Sequence, residues 1–380
     1  MKNVYGLALS GLLVLLLAAC GTAGGGSGDG VKTSVYDVNM FSLDKLSCDP
    51  LGNSVQSTDT NFDAGIKADL YYLANGQSIY HDVESYISNG VHANQFLFFS
   101  QINVPTRMFD TGFPTMLDGL ISKDDGTPLF EYFALRFSTT LQLAPTDPEG
   151  LYEFALLSDD GAILKIKSGD SGYQVAVDND GDHPTQMGCS TFTLNLRHGD
   201  QKLMQLDYYQ GPRYHISVIP LWRKVGSGGA SPDPMCGHNG NNLYFDPNHN
   251  SVPLQAYNDL LARGWKPIQP ANYTLPQGVL FNPCQGGVAP VVSNFVVTNN
   301  THGSVTATWN TDILSTTQLR IVDMATGVEQ LTFSDNVLYL NHTITANNLL
   351  VGHQYMFQAV SISESYGKTI GSPITIVLAQ

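Results

Sequence analysis

From residue 66 onward the chain is a succession of short apolar or alternating runs, each cut off by Gly, Asp, Asn or Pro. Ile66–Tyr72 alternates, and Gln95–Phe99, Glu131–Phe137, Leu151–Leu157, Ala162–Ile166, Thr191–Leu196, Leu203–Tyr209 and Ile216–Trp222 follow at strand length. Runs this short and this regularly punctuated predict sheets that pack face to face or close on themselves, as a sandwich or barrel. Helical periodicity is confined to residues 80–89 and to Pro253–Arg263. The fold class expected is therefore all-β. Composition agrees: only 13% of residues are charged, while Gly numbers 37 and aromatics reach 10%.

The charge balance removes one class of partner. Lys and Arg total 18 against 33 Asp and Glu, a formal net charge of −15. Such a chain has no basic footprint for a nucleic-acid backbone. A hydrophobic share of 42% also argues against overall disorder. At 380 residues there is room for two or three domains.

The five cysteines are an odd number, and the first has its own context. Lys2 precedes an apolar run, Leu7–Ala19, that is too short for a good membrane span. It ends Leu17-Ala18-Ala19-Cys20, which resembles a bacterial lipoprotein signal, cut before an acylated Cys20. Residues 1–19 would then be the signal and 20–35, with Gly24-Gly25-Gly26-Ser27-Gly28, a flexible tether. Gly21 rather than Asp follows the cysteine, and by resemblance this implies export to the outer membrane or cell surface. Each buried acyl CH₂ contributes about 0.8 kcal/mol, so several chains anchor firmly.

Cys48, Cys189, Cys236 and Cys284 remain. In an oxidising compartment four thiols imply two disulfides with three connectivities. Domain boundaries favour Cys48–Cys189 and Cys236–Cys284. The second pair would close a small connector, residues 226–288, that carries the Pro253–Arg263 helix. Zinc at Cys236, His238 and His249 is the alternative, though no C-x₂-C pair supports it.

After Gly286-Gly287, residues 289–380 begin a separate β segment. Ser304–Trp309, Leu319–Val322 and Thr343–Thr345 read as strands. Leu350-x-Gly352-x-x-Tyr355-x-Phe357-x-Ala359 then resembles the tyrosine corner of a fibronectin type III or related immunoglobulin-like sandwich. Such modules space or bind, and nothing in this one suggests catalysis.

The stretch carrying chemistry is 150–222. It holds Leu157-Ser158-Asp159-Asp160-Gly161-Ala162, then Val177-Asp178-Asn179-Asp180-Gly181, then Leu206-Asp207-Tyr208-Tyr209-Gln210-Gly211. These three ordered motifs resemble the protective-antigen (PA-14) β-barrel family. The resemblance covers residues 63–224 and defines an expected barrel over 36–225. In the lectin members, a cis peptide joins two adjacent Asp residues and both bind calcium. The resemblance thus implies Asp159 and Asp160 as ligands, Gln210 as the side-chain amide ligand, and the carbonyls of Pro212 and Tyr214 to complete the shell. Hard oxygen donors in that number suit calcium. Open positions would take hydroxyls of a terminal sugar, with Tyr209, Arg213, Asp178, Asn179 and Asp180 lining the sugar site. Asp178–Asp182 is no EF-hand, because His183 stands where Gly is needed and Cys189 where the bidentate Glu is needed.

No catalytic residues are assigned. Adjacent Asp side chains cannot flank a scissile glycosidic bond, which requires about 5 Å or more between carboxyls. Glu131, Glu149 and Glu153 have no signature around them, and G-x-S-x-G, a phosphate loop and H-E-x-x-H are all missing. His92, His183 and His215 are expected as surface or turn residues. The function expected is calcium-dependent binding of an extracellular or cell-surface glycan by a lipid-anchored protein. The alternative is a surface scaffold that binds a protein partner, and a glycosidase ranks below both.

Overall fold

The computed structural model describes residues 41–52, 63–167, 172–226, 232–279, 282–285, 287–300, 303–332 and 337–379. The expected signal over 1–19, Cys20, the expected tether over 20–35 and residues 227–231 lie outside the described residues. Described secondary structure is almost all strand, with two short α-helices, Val83–Asn89 and Gln255–Ala262. This is the all-β class that the alternating runs predicted.

Two sheets form the first body. A nine-stranded sheet runs in the order 46–48, 96–99, 66–72, 133–141, 202–210, 162–167, 173–179, with strands 91–92 and 273–274 added at its flanks. A six-stranded sheet has the path 186–189, 150–159, 216–224, 266–267, joined by 194–196 and 104–107. Their inner faces meet in one core. Leu135, Phe137, Leu164, Leu206 and Tyr208 come from the first sheet, and Tyr152, Phe154, Leu156, Val218 and Trp222 from the second. Side chains two apart share a sheet face, so alternate residues of each strand enter this core.

Strand Gly150–Asp159 departs from that alternation. From Phe154 onward it is buried at successive residues. The reason is a second cover. Ala155, Leu157, Ile219 and Leu221 on the outer face pack against Tyr244, Phe245, Tyr257, Leu260 and Trp265. The segment after residue 232 is therefore not a spacer but a lid over the six-stranded sheet. A strand buried on both faces reads as continuously apolar.

The disulfides correct the expected pairing. Cys48 joins Cys284 and Cys189 joins Cys236. Neither bridge closes residues 226–288 on themselves; each ties that segment back to the sheets. The domain-boundary argument failed because burial of Trp265 and Tyr244 against the sheet decides which thiols meet. With both cysteines bridged, Cys236 has no thiolate to offer zinc, and that alternative is overturned.

A second sandwich follows. A three-stranded sheet (292–299, 305–315, 339–346) faces a five-stranded one (329–331, 318–323, 354–362, 368–370, with 374–377 on 354–362). Val305, Ala307 and Trp309 pack against Leu319, Ile321, Tyr355 and Phe357. The Tyr355 hydroxyl accepts from the Leu350 N–H at 3.0 Å, pinning the corner before its strand. Lys368 bonds Asp118 of the first body at 2.6 Å.

Candidate functional site

The site grows from a crossover. Strand Gly150–Asp159 lies in the six-stranded sheet and strand Ala162–Lys167 in the nine-stranded one, so Asp160 and Gly161 alone carry the chain between sheets. The Asp159–Asp160 peptide is cis. There is no room for a side chain at the next residue. A Cβ on Gly161 would lie 2.5 Å from Tyr209 Cε1 and 2.6 Å from Asp180 Oδ1. The glycine of the Ser-Asp-Asp-Gly motif is required by this close approach, since its neighbours include backbone that cannot rotate away.

Both carboxylates are buried, Asp159 at 7% exposure and Asp160 at 9%. The Gly211 N–H donates to Asp160 Oδ2 at 2.8 Å. A Cβ on Gly211 would sit 2.9 Å from that oxygen, so the approach again needs glycine. Asp159 is faced by the backbone N–H and hydroxyl of Thr185, yet its Oδ2 has no hydrogen-bond partner. Burial, and then the charge of Asp160, push the Asp159 carboxyl up to about 8. Burial also raises Asp160, while the Gly211 N–H pulls it back. Two adjacent buried acids can ionise together here only with a compensating positive charge.

An open cleft of about 220 Å³ lies against them. Of the residues expected at the site, Asp159, Asp160, Pro212 and Tyr214 line it. His183, Pro184, His215 and Asn241 complete the lining. Sequence reading assigned the two histidines to surface or turn and gave no role to Pro184 or Asn241. A His beside an acidic loop was a signal for His183; for Asn241, outside every motif, there was none. Burial lowers the His215 pKa, which favours the neutral imidazole.

Several expected ligands serve other ends. Gln210 is fully buried. Its Nε2 donates to the carbonyls of Pro212 and His215, both at 2.8 Å. Its Oε1 lies 2.5 Å from the Tyr208 hydroxyl, which is also 2.7 Å from the Asp159 carbonyl oxygen. The Gln210 amide thus braces the 211–215 loop behind the cleft, and the Pro212 carbonyl accepts from it and from the Tyr214 N–H (2.9 Å). In this arrangement the Gln210 amide oxygen is engaged by the Tyr208 hydroxyl and the Pro212 carbonyl by two N–H donors. Tyr214, by contrast, is 69% exposed at the rim.

The expected sugar-lining set is also redistributed. Asn179 is buried; its amide donates to Ser158 Oγ (2.8 Å) and the Gln186 carbonyl (3.1 Å) and accepts from Gln186 Nε2 (2.9 Å). Asp180 Oδ1 accepts from the Val83 N–H at 3.0 Å, fixing the start of the first helix. Tyr209 is buried against Tyr86, ring centroids 4.8 Å apart and stacked, and its hydroxyl donates to Asp182 at 2.6 Å. These three hold the crossover in place and do not line the cleft. Asp178 is exposed and accepts from the Asp180 N–H. Arg213 is exposed on the outer rim, its guanidinium 5.7 Å from the Phe130 ring.

Can these residues hold a divalent cation? The buried, unpartnered Asp159 Oδ2 beside a second carboxylate fits one, because an ion would supply the missing positive charge. Among the described residues no group of three or more His, Cys, Asp or Glu converges on one position. Any ion at Asp159 and Asp160 would therefore draw the rest of its shell from neutral oxygens.

No protein-family model matches the chain, and neither does any curated protein. Among solved structures it is similar to the PA14 sugar-binding domain from an RTX adhesin, with 18% identity and TM-score 0.31 over 44% of this chain and 92% of that one. It is similar to the PA14 domain of the antifreeze protein MpAFP, with 12% identity and TM-score 0.32 over 49% of this chain and 93% of that one. A third likeness is the epithelial adhesin 6 A domain from Candida glabrata in complex with Galβ1-3GlcNAc, at 13% identity and TM-score 0.30 over 56% of this chain and 98% of that one. At these TM-scores the likenesses define no family for the chain, and the reading of the site rests on its own geometry.

Proposed function

We propose that the chain is an exported, lipid-anchored surface protein that binds glycans through a calcium ion at Asp159 and Asp160. The observation that carries this reading is Asp159 Oδ2, a carboxyl oxygen buried without a partner beside a second buried acid and an open cleft. Leaving such a group uncompensated is costly. An all-oxygen donor set favours calcium, which takes six to eight oxygens and tolerates irregular geometry.

The chain's own residues would divide the work. Asp159 and Asp160 bind, and the Gly211 N–H orients Asp160. Tyr208 and Gln210 hold the 211–215 loop against the crossover. The exposed Tyr214 ring offers an apolar face to a sugar, the contact aromatic side chains make best. When bound, calcium supplies charge compensation and open positions for a pair of sugar hydroxyls.

Two disulfides fit an oxidising compartment. Acylation at Cys20, the tether over 20–35, a barrel over 36–225, a connector over 226–288 and a fibronectin-like sandwich over 289–380 belong to the same proposal. In it the tether over 20–35 gives the site its reach from the membrane. Calorimetric titration of the full chain with calcium chloride, followed by a glycan array with and without chelator, tests the reading. Calcium binding and chelator-sensitive glycan binding support it. No calcium binding, or glycan binding indifferent to chelator, overturns it and favours the protein-binding scaffold.

A further inference from the structure

The connector reaches the cleft by a defined path. Strand Gln186–Cys189 pairs with strand Gly150–Asp159, setting Gln186 opposite Ser158. Residues 237–240 are laid along the other edge of that strand. The Gly237 N–H donates to the Met187 carbonyl (2.8 Å), the Met187 N–H to the His238 carbonyl (3.1 Å), and the Gly240 N–H to the Thr185 carbonyl (3.0 Å). The Cys189–Cys236 bridge pins the start of this ladder. Tyr244 and Phe245, just beyond it, are clamped in the outer core with Leu157 and Ile219. Asn241 is held between these two fixed points and lines the cleft.

Of the cleft's lining residues, two carry a buried oxygen with no hydrogen-bond partner: Asp159, through Oδ2, and Asn241, through Oδ1. Two acceptors without a donor, on one cleft, call for a cation rather than another acceptor. The amide expected to ligate, that of Gln210, has its Oε1 engaged by the Tyr208 hydroxyl and its Nε2 turned to the carbonyls of Pro212 and His215. We propose that Asn241 is the side-chain amide ligand of the cation at Asp159 and Asp160, so that the connector completes the site. This rests on the calcium reading above.

The test is calorimetric titration of the full chain with calcium chloride alone, paired with melting curves in chelator. Asn241→Ala removes the oxygen, and Asn241→Asp keeps one and adds charge. Calcium affinity is expected to fall about tenfold or more in Asn241→Ala and to be retained or tightened in Asn241→Asp, with chelated melting temperatures unchanged in both. If the parent binds calcium and Asn241→Ala binds it equally well, the inference is overturned and the calcium reading stands. If both variants lose binding alike and melt earlier in chelator, Asn241 is a packing residue and the inference is likewise overturned. A parent that binds no calcium overturns both.

Discussion

Replacing Asp159 with Asn keeps the side chain's shape and removes its ionisation. In the fold, burial and then Asp160 hold this carboxyl protonated up to about 8, against 3.8 for an ordinary Asp. Below both values the group is neutral folded and unfolded, and it costs nothing. As pH rises between them the unfolded chain ionises and the folded one does not, so stability falls by about 1.4 kcal/mol per pH unit. Above the folded value the loss stops growing. At pH 7 the ceiling is about 4 kcal/mol. Water in the open cleft screens the charge and brings the expected loss to about 1–3 kcal/mol. Asn carries no such linkage. In chelator, Asp159→Asn should therefore be more stable than the parent by about 1–3 kcal/mol at pH 8, with the gain vanishing near pH 4. In calcium the advantage shrinks or reverses, because an ion at a hundredfold excess over its Kd stabilises the parent by about 2.7 kcal/mol and the neutral variant by less. Urea unfolding at pH 4, 6 and 8, with chelator and with calcium, reads all of this. A variant less stable than the parent at pH 8 in chelator would refute the reasoning, since it would mean the ionised carboxylate is well satisfied without an ion.

Four further outcomes follow from the structure. Gly161→Ala drives a methyl to 2.5 Å from Tyr209 and 2.7 Å from the Gly181 backbone nitrogen; a loss of about 1–3 kcal/mol is expected in thermal melts. Peptide mapping without reductant should recover Cys48 linked to Cys284 and Cys189 linked to Cys236. Replacing Cys189 and Cys236 with Ser should cost about 4 kcal/mol, from opening a loop that spans a separation of 47 residues. Asp233 is 4% exposed; burial raises its carboxyl, but the Arg263 pair, the Met235 N–H and the Trp265 indole outweigh that and hold it below the ordinary range. Its contribution is present above the unfolded pKa and lost as pH falls through the folded one. Asp233→Asn leaves Arg263 short of its partner and should lower stability by about 3–5 kcal/mol near neutral pH, a difference that shrinks in acid.

Strand positions were legible where one face is buried. Ile66–Tyr72 is found as read, because its alternation is the direct signature of a half-buried strand. Ala162–Lys167 and Ile216–Lys224 extend the expected runs by a residue or two. Tyr173–Asn179 was not foreseen; it lies at the end of the nine-stranded path, and its first three residues are exposed, so it has little pattern to read. The core of the site was legible for a different reason. Two acids and a glycine at a strand end are a local arrangement, and local close approach leaves a mark in the residue types. Gln210 shows the limit: its place after the tyrosine pair was right for a loop amide, but which way the amide faces depends on the carbonyls of Pro212 and His215.

By itself the sequence determined the all-β class and the acid–acid–glycine motif of the crossover. These depend on periodicity, charge and steric limits that act within a few residues. Tertiary structure decided which cysteines pair, why strand Gly150–Asp159 is buried at successive residues from Phe154 onward, and that Asn241 stands on the wall of the cleft. Each of these sets residues tens to hundreds of positions apart against one another. The physical agent is burial of Tyr244, Phe245 and Trp265 on the outer face of a sheet, which pulls the connector onto the site and leaves no periodic trace in either segment alone.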